Sequence, residues 1–399
     1  MNESSFLSEM AGRKENIEGS TGVKGKREGA DQNMKKWKKN VLRAGAVVLV
    51  GGILLGIKLY GTRIKTIETL EQLTDYEDYN LYQMDVKYAY DLDRILAEHI
   101  TDDQSFVDAV LKEALPHLPV HIKVPDFGCS AFTANGADGT VRMGRNYDFR
   151  YDTSALMVHC HPKNGYESIA FAALDNIQAN DATRNLKTKA SCLLAPFVCL
   201  DGLNEKGVSI AVLTLDSEPT RQETGKEKLP TTLAIRLVLD QAATTQEAVD
   251  LLKEYDMLAT SGRDYHFYIT DASGDGRVVE YDCETPDRKL VATPSVAVTN
   301  FFIKYEEKVL PNQRNGIYGH GRERYDRIMT VLEESQGNQT KETTWDALKT
   351  AAQEPNPEEV TSNTQWSIVY NNTDRMAEIA LRRKWEDTTE FTVLGMWKE

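Results

Sequence analysis

Cys129 is the side chain whose position in this sequence most favours nucleophilic chemistry. It follows Gly128 in the stretch FGCSAF, where a charged, membrane-like leader gives way to strand-like sequence. A thiol at such a junction can attack the peptide carbonyl before it, form a thioester and, after hydrolysis, become the first residue of a new chain. The liberated α-amine titrates at about pH 8 and can take the thiol proton without a histidine. The alternative interpretation is a buried structural cysteine in a strand.

Two charged residues accompany this thiol in CSAFTANGADGTVRMGRNYDF. A hairpin in this stretch would place Arg145 and Asp148 on a strand beside Cys129. A carboxylate there would hold the new α-amine, and a guanidinium would favour the thiolate and an anionic intermediate. The alternative is a surface ion pair that contributes little to stability. The pattern therefore predicts a catalytic group made of Cys129, Arg145 and Asp148.

Other common chemistries lack their motifs in this sequence. There is no H-E-x-x-H, P-loop, G-x-S-x-G or G-x-G-x-x-G pattern, and the five cysteines form no C-x-x-C pair. His159 and His161 would point to one face of a strand, but no third ligand lies nearby in sequence, so no metal site is expected. We expect the chemistry to need no cofactor.

Composition separates an acidic body from a basic N-terminal part. The net charge is −14, yet residues 1–43 carry an excess of Lys and Arg. An acidic body offers no surface that could follow a phosphate backbone. Nucleic acid is therefore not an expected partner.

The first 61 residues are typical of a membrane anchor and its tail. Residues 1–40 predict a disordered, basic, cytoplasmic tail. Residues 41–61 hold an apolar run that predicts a single transmembrane helix, and the basic flank before it places the body outside the cytoplasm. A cleaved signal peptide is one alternative, but KLYGTRIKT has no A-x-A pattern. A buried helix of a soluble domain is another, although the glycines at positions 45, 51, 52 and 56 would weaken it.

Residues 62–128 are expected to be a helical pro-segment, and residues 129–399 an α+β catalytic domain. Between Tyr79 and Ile100, apolar residues recur at spacings of three and four, which predicts one amphipathic helix, and DDQSFVDAVLKEAL predicts a second. After Cys129, short strands alternate with turns. A helix pair is predicted in TTLAIRLVLDQAATTQEAVDLLKEY and a hairpin in HFYITDASGDGRVVEYD.

These motifs resemble those of a known family of N-terminal-nucleophile hydrolases. Cys129 followed by small residues, the GRNYD stretch and the DGLNEKGVSIAVL stretch are similar to the choloylglycine hydrolase and penicillin V acylase group, together with the N-acylethanolamine-hydrolysing acid amidases. The resemblance covers most of residues 129–399. It implies a four-layer α-β-β-α sandwich, and the long leader is similar to the precursors of the acid amidases.

The resemblance also implies roles for single residues. GRNYD carries over Arg145 and Asp148 as catalytic residues. AVTNFF places Asn300 where the family has its oxyanion asparagine, and GRERYDRI matches a second active-site arginine to Arg324, with Arg322 and Arg327 nearby. Thr214 stands where the family often has an asparagine on the substrate side, so any oxyanion contact there would come from its backbone N–H.

The expected reaction is hydrolysis of a linear, non-peptide amide C–N bond after self-cleavage between Gly128 and Cys129. The partner would be a small-molecule acyl amide: bile salts, penicillin V, N-acyl homoserine lactones and N-acylethanolamines all present one. An acyltransferase on the same fold, or an unprocessed, membrane-tethered binding protein, are the alternatives. If another group served as base, His266 would be the candidate. The oligomeric state stays open, a homo-oligomer included.

Overall fold

The computed structural model describes residues 34, 36–41, 60–116, 128–356, 358–359 and 361–394, in two units that divide after residue 61. In the first unit, the described residues 34, 36–41 and 60–61 are helical. Most of the predicted tail and residues 42–59 of the predicted anchor lie outside the described residues. Among the helices that are described, none has the length and apolar character needed to cross a bilayer.

Two large β-sheets form the centre of the described part of residues 62–399. The larger has nine strands in the order β1 (Glu71–Gln72), β2 (Leu81–Val86), β5 (Ala155–Cys160), β6 (Ser168–Ala173), β7 (Cys199–Asn204), β8 (Ser209–Leu215), β11 (Asp264–Thr270), β12 (Arg277–Tyr281) and β13 (Leu290–Pro294). The smaller has six in the order β14 (Ala297–Val298), β3 (Gly128–Asn135), β4 (Val141–Asp148), β17 (Thr364–Asn371), β18 (Met376–Leu381) and β19 (Thr388–Thr392). Two short pairs join β9 (Lys228–Pro230) to β10 (Asp256–Leu258) and β15 (Asn300–Phe301) to β16 (Gly319–His320).

Helices cover the outer faces of both sheets. In the described part of residues 62–399, residues 62–68 are helical, and the further α-helices are α1 (Leu92–Leu96), α2 (Asp103–Ala114), α3 (Leu186–Ser191), α4 (Thr231–Gln241), α5 (Thr245–Lys253), α6 (Arg322–Glu334) and α7 (Lys341–Ala351). Helix α4 packs on β7 and β8, whereas α6 and α7 pack on the smaller sheet, and β3 faces β8 between the sheets. The layers therefore run helix, sheet, sheet, helix, and the predicted α+β class is confirmed.

Strand β8 illustrates why the central strands are apolar along their whole length. Its sequence SIAVLTL is buried at every position, because α4 covers one face and β3 the other. A strand buried on both faces reads as a continuous apolar run and not as an alternation of apolar and polar residues. The same packing holds β3, which carries Cys129, in the middle of the molecule.

The predicted helix between Tyr79 and Ile100 is wrong for its first half. Residues 81–86 form β2, which pairs in parallel with β5 and antiparallel with β1, and only Leu92–Leu96 is helical. Five of the six residues of β2 are buried, on both faces of the strand. Hydrogen bonding to β5 inside the large sheet decides its conformation, and the spacing of its apolar residues does not.

Several other sequence predictions are confirmed. The second leader helix is α2, with Asp102 as N-cap. The helix pair is α4 and α5, and the Thr244 side chain caps α5 by accepting the N–H of Glu247. The predicted hairpin is the antiparallel pair β11 and β12. In the described residues, the segment before Cys129 is thus a mixture of strands and helices, and its β2 is part of the main sheet.

Candidate active site

Cys129 lies at the start of β3 and is fully buried. Strand β3 pairs antiparallel with β4 across the turn NGADG, so that Cys129 is opposite Tyr147 and Gly128 is opposite Asp148. The chain runs directly from Gly128 into Cys129, and the nitrogen of Cys129 is therefore a peptide nitrogen here. The predicted hairpin between the candidate nucleophile and its charged partners is present.

The thiol of Cys129 meets two hydrogen-bond donors. They are the side chain of Arg145 and the backbone N–H of Asp148, and both favour the thiolate. Burial has the larger effect and raises the pKa of the Cys129 thiol to about 12. In this uncut chain the sulfur is thus protonated at neutral pH, although the groups that would stabilise its anion are already in place.

Arg145 is held by a carboxylate that sequence reasoning missed. Its Nε donates to Oδ2 of Asp201 at 3.2 Å, and its Nη2 donates to the backbone carbonyl of Val212 at 3.0 Å. Both charged side chains are fully buried, and the hydroxyl of Tyr370 donates to the other oxygen of Asp201. Burial raises the pKa of Asp201, and Arg145 opposes this effect. Asp201 is the first residue of the DGLNEKG motif, and this motif is the feature of the sequence that could have identified it.

Asp148 is held by residues far away in sequence. Its Oδ1 accepts the hydroxyl of Thr364 at 2.6 Å, and its Oδ2 accepts Nε2 of Gln353 at 2.9 Å. Nη1 of Arg324 lies 3.5 Å from the same Oδ2. No motif near Gln353 or Thr364 pointed to this contact, because it depends on how β17 packs beside β4.

Asn300 and Arg324 meet the backbone of Cys129 from the other side. The N–H of Cys129 donates to Oδ1 of Asn300 at 3.3 Å, and Nη1 of Arg324 donates to the carbonyl of Cys129 at 3.0 Å. Nη2 of Arg324 also donates to Oδ1 of Asn300 at 2.6 Å. Burial lowers the pKa of Arg324, and Asp148 opposes the shift. Arg322 instead donates to Asp326, so of these two arginines Arg324 is the one at Cys129.

Gly321 positions the side chain of Arg324. It precedes α6 with a φ of 86°, in the left-handed region that glycine tolerates best. A Cβ added to Gly321 would lie only 2.4 Å from Nη2 of Arg324. Both the backbone conformation and the space beside Arg324 therefore require glycine here.

Thr214 reaches this group through its backbone. Its carbonyl accepts Nδ2 of Asn300 at 2.9 Å, whereas its hydroxyl donates to the carbonyl of Asp264 at 3.3 Å. The side chain of Thr214 thus points into β11 and not toward Cys129. This residue orients Asn300 in the uncut chain.

His266, the alternative base, has other partners for both ring nitrogens. Its Nδ1 lies 3.3 Å from Oε1 of Glu280, and its Nε2 lies 2.9 Å from the carbonyl of Thr299. The side chain is fully buried in these contacts. It therefore has no ring nitrogen to offer the thiol in this arrangement.

The arrangement can support acyl transfer to sulfur. The buried thiol of Cys129 has a guanidinium and a backbone N–H as donors. The nitrogen of Cys129 donates to the side-chain oxygen of Asn300, and the carbonyl of Cys129 accepts a hydrogen bond from a second guanidinium, that of Arg324. Residues 129–287 match the family model for linear amide C–N hydrolases of the choloylglycine hydrolase family. The chain is therefore similar to the choloylglycine hydrolase family over the segment that begins at Cys129. This similarity supports hydrolysis of a linear amide bond as the class of reaction.

The chain is also similar to solved structures of two bacterial enzymes. Penicillin V acylase from Agrobacterium tumefaciens is 17% identical, with a TM-score of 0.46 over 63% of this chain and 83% of that chain. A variant of conjugated bile acid hydrolase from Clostridium perfringens is 16% identical, with a TM-score of 0.49 over 66% of this chain and 92% of that chain.

The family match and the geometry cover different parts of the site. Cys129, Arg145 and Asp148 lie within the matched residues, together with Asp201 and Thr214. Asn300 and Arg324 lie beyond them, and it is the fold that brings these two side chains to Cys129.

Proposed function

We propose that this protein is an amide hydrolase that cuts its own chain between Gly128 and Cys129 and then acts through a thioester on Cys129. The observation that carries the proposal is the convergence of polar groups on one residue. Arg145 is a hydrogen-bond donor to the sulfur of Cys129, and Asn300 accepts the N–H of Cys129. Arg324 donates to the carbonyl of Cys129. A structural cysteine in a strand would need none of these buried charged partners.

In the first step, the sulfur of Cys129 attacks the carbonyl carbon of Gly128. The C–N bond breaks as the C–S bond of the thioester forms, and the thiol proton moves to the nitrogen of Cys129. Water then hydrolyses the thioester, which leaves a carboxylate on Gly128 and a free thiol and amine on Cys129. Arg145 stabilises the sulfur anion during this step.

Cleavage changes the electrostatics of the nucleophile. A new ammonium, which titrates at about pH 8, would sit on the nitrogen that now lies 3.3 Å from Oδ1 of Asn300. That oxygen can accept its hydrogen bond, and the positive charge lowers the pKa of the adjacent thiol. In its neutral form, the amine takes the thiol proton and later returns it to the leaving amine of the substrate.

The oxyanion would be stabilised by Asn300. An amide nitrogen carries two N–H donors, and the hydrogen bond from Nδ2 to Thr214 uses one of them. The second is the donor that we assign to the acyl oxygen. Asp148 and Arg324 would hold the nucleophile's backbone and amine in position.

We also propose that the apolar run over residues 41–61 anchors the chain, with the hydrolase outside the cytoplasm. The support is the basic flank before the run in the sequence. Protease added to intact cells should digest the body, and full protection until lysis would reject this topology.

Activity measurements on four amide classes test the proposed reaction. The full-length chain should release the free acid from at least one of a bile-salt conjugate, penicillin V, an N-acyl homoserine lactone or an N-acylethanolamine. Cys129→Ala should abolish this activity. Cys283→Ala is the matched control, because Cys283 is a free, partly exposed thiol on another part of the chain. Activity that survives in Cys129→Ala would reject the proposal.

A further inference from the structure

Three side chains from neighbouring strands form a cluster away from Cys129. Asp85 on β2 is the register partner of His159 on β5, and His161 directly follows the end of β5, two residues after His159. One potential ligand atom from each residue lies within 4.8 Å of the others. The sequence suggested no metal site at His159 and His161 because no third ligand was nearby. The fold supplies that third residue from the leader segment.

The free donor atoms of this cluster can be assigned from its hydrogen bonds. Nε2 of His159 lies 3.1 Å from the carbonyl of Val393, and a carbonyl can only accept, so Nε2 carries the proton. Nδ1 of His159 is then a bare lone pair. It is buried and has no hydrogen-bond partner within the described residues. Such an unpartnered, buried acceptor is costly in a folded protein unless something binds it.

His161 and Asp85 each offer one atom and use the other elsewhere. Nε2 of His161 lies 2.9 Å from Oδ1 of Asp85, and its Nδ1 lies 3.4 Å from Oε1 of Glu167. The other oxygen of Asp85 is paired with Lys87. All three candidate ligands thus have an outer partner, namely Val393, Glu167 or Lys87. Such partners orient the ligands of metal sites in proteins.

We propose that Asp85, His159 and His161 bind a divalent transition metal ion, for which Zn²⁺ is the best fit. Two imidazole nitrogens and one carboxylate oxygen are ligands that Zn²⁺ prefers, with water in the fourth position. His161 is about one-third exposed, which gives an ion a route to the site. Binding would replace the hydrogen bond between Nε2 of His161 and Oδ1 of Asp85.

The ion would join two parts of the chain that lie on opposite sides of Cys129. Asp85 precedes the proposed cleavage point, and both histidines follow it. This consequence rests on the proposed self-cleavage, whereas metal binding itself does not. In the cut protein, the ion would add a link between leader and body beyond the pairing of β2 with β5.

Titration of metal alone into the full-length chain tests the site. The Cys129→Ala variant is used, because it stays in one piece and lacks the reactive thiol. After removal of bound metal with a chelator, calorimetry with ZnCl₂ should give one site per chain, and Co²⁺ should give the visible absorption of a tetrahedral complex. If the chain does not bind one equivalent of Zn²⁺ saturably, this titration alone overturns the proposal.

Substitutions then locate the site. His161→Gln and Asp85→Asn should each weaken Zn²⁺ binding by about a hundredfold or more, since losing an outer partner alone weakens binding by about 10- to 100-fold. His99→Gln is the matched control. His99 is an exposed histidine near Glu227, so its replacement should leave binding unchanged. Equal loss in His99→Gln, or no loss in a folded His161→Gln, would place the ion elsewhere and reject the site.

Discussion

Arg324 and Asn300 are joined by a hydrogen bond of 2.6 Å from Nη2 to Oδ1, and the same oxygen accepts the N–H of Cys129. An oxygen that receives two donors cannot exchange places with the amide nitrogen, so Nδ2 of Asn300 must face Thr214. The orientation of this one amide is therefore determined by its neighbours. Oδ1 of Asn300 is thus the acceptor for the nitrogen of Cys129. In the proposed mechanism, the second N–H of Nδ2 is the donor for the acyl oxygen.

Two replacements of Asn300 distinguish the role of its Nδ2 donor from that of its Oδ1 acceptor. Asn300→Ala should lower kcat on the best substrate by about a hundredfold or more, as loss of one oxyanion donor does in other enzymes. Asn300→Asp keeps an oxygen for Arg324 and Cys129 but has no N–H, so its kcat should fall similarly. Unchanged turnover in Asn300→Asp would show that the acyl oxygen is stabilised elsewhere.

Gly321→Ala should disable the site through Arg324. The new methyl group would force Nη2 away from Asn300, in addition to about 1–2 kcal/mol of strain from the left-handed backbone. Gly337→Ala is the control, because Gly337 has a φ of 83° with open space where a Cβ would lie. Thermal unfolding should show a loss of stability for both from the left-handed backbone and a larger loss for Gly321→Ala, whereas turnover per folded molecule should fall only in Gly321→Ala. Equal activity of the two variants would contradict the positioning role of Arg324.

Thr364→Val should reduce turnover by removing a donor from Asp148. A buried carboxylate oxygen that loses its partner costs about 1–3 kcal/mol, equivalent to about 5- to 150-fold if expressed in the rate. Thr224→Val is the control, since the Thr224 hydroxyl donates to Asp256, which is also buried. Both variants should lose stability, and only Thr364→Val should lose turnover per folded molecule. A Thr364→Val enzyme with normal kcat would show that Asp148 needs no such support.

The pKa of Cys129 predicts how its reactivity depends on pH before cleavage. Because burial raises this pKa to about 12, the thiolate fraction of the uncut chain should increase about tenfold per pH unit between pH 7 and pH 10. Alkylation of the uncut chain should follow this increase. After cleavage, the adjacent ammonium lowers the pKa, so alkylation at pH 7 should be faster.

Mass spectrometry can measure both forms in one partly processed sample. After alkylation, trypsin should release residues 124–142 from the uncut chain and residues 129–142 from the cut chain. The label should be much less abundant in the longer peptide at pH 7. Equal labelling of the two peptides would contradict the predicted effect of burial.

The sequence predicted the site best where its residues lie close together in the chain. Cys129, Arg145 and Asp148 lie on two strands joined by one glycine-rich turn, so their proximity could be predicted from a hairpin. The placement of Asn300 and Arg324 depended on the family resemblance, because β15 and α6 reach Cys129 only through the packing of the layers. In the structure both side chains contact the backbone of Cys129, and their catalytic roles remain predictions.

Other contacts had no local signal. Gln353 and Thr364 meet Asp148 because β17 lies beside β4, and no spacing in the chain indicates that pairing. The same limit explains the error over residues 81–86. Apolar residues at helical spacing are also compatible with a strand buried on both faces, and the parallel partner β5 lies far away in sequence. That pairing also brings Asp85 to His159.

The mass of the purified protein tests the central claim most directly. Full-length chain should separate under denaturing conditions into a leader that ends at Gly128 and a body of residues 129–399, with an N-terminal sequence of C-S-A-F. Cys129→Ala should remain a single chain without amidase activity. Cys129→Ser should be cut slowly and turn over more slowly still, because a hydroxyl is a poorer nucleophile at neutral pH. Full amidase activity from a single uncut chain would contradict the proposed mechanism.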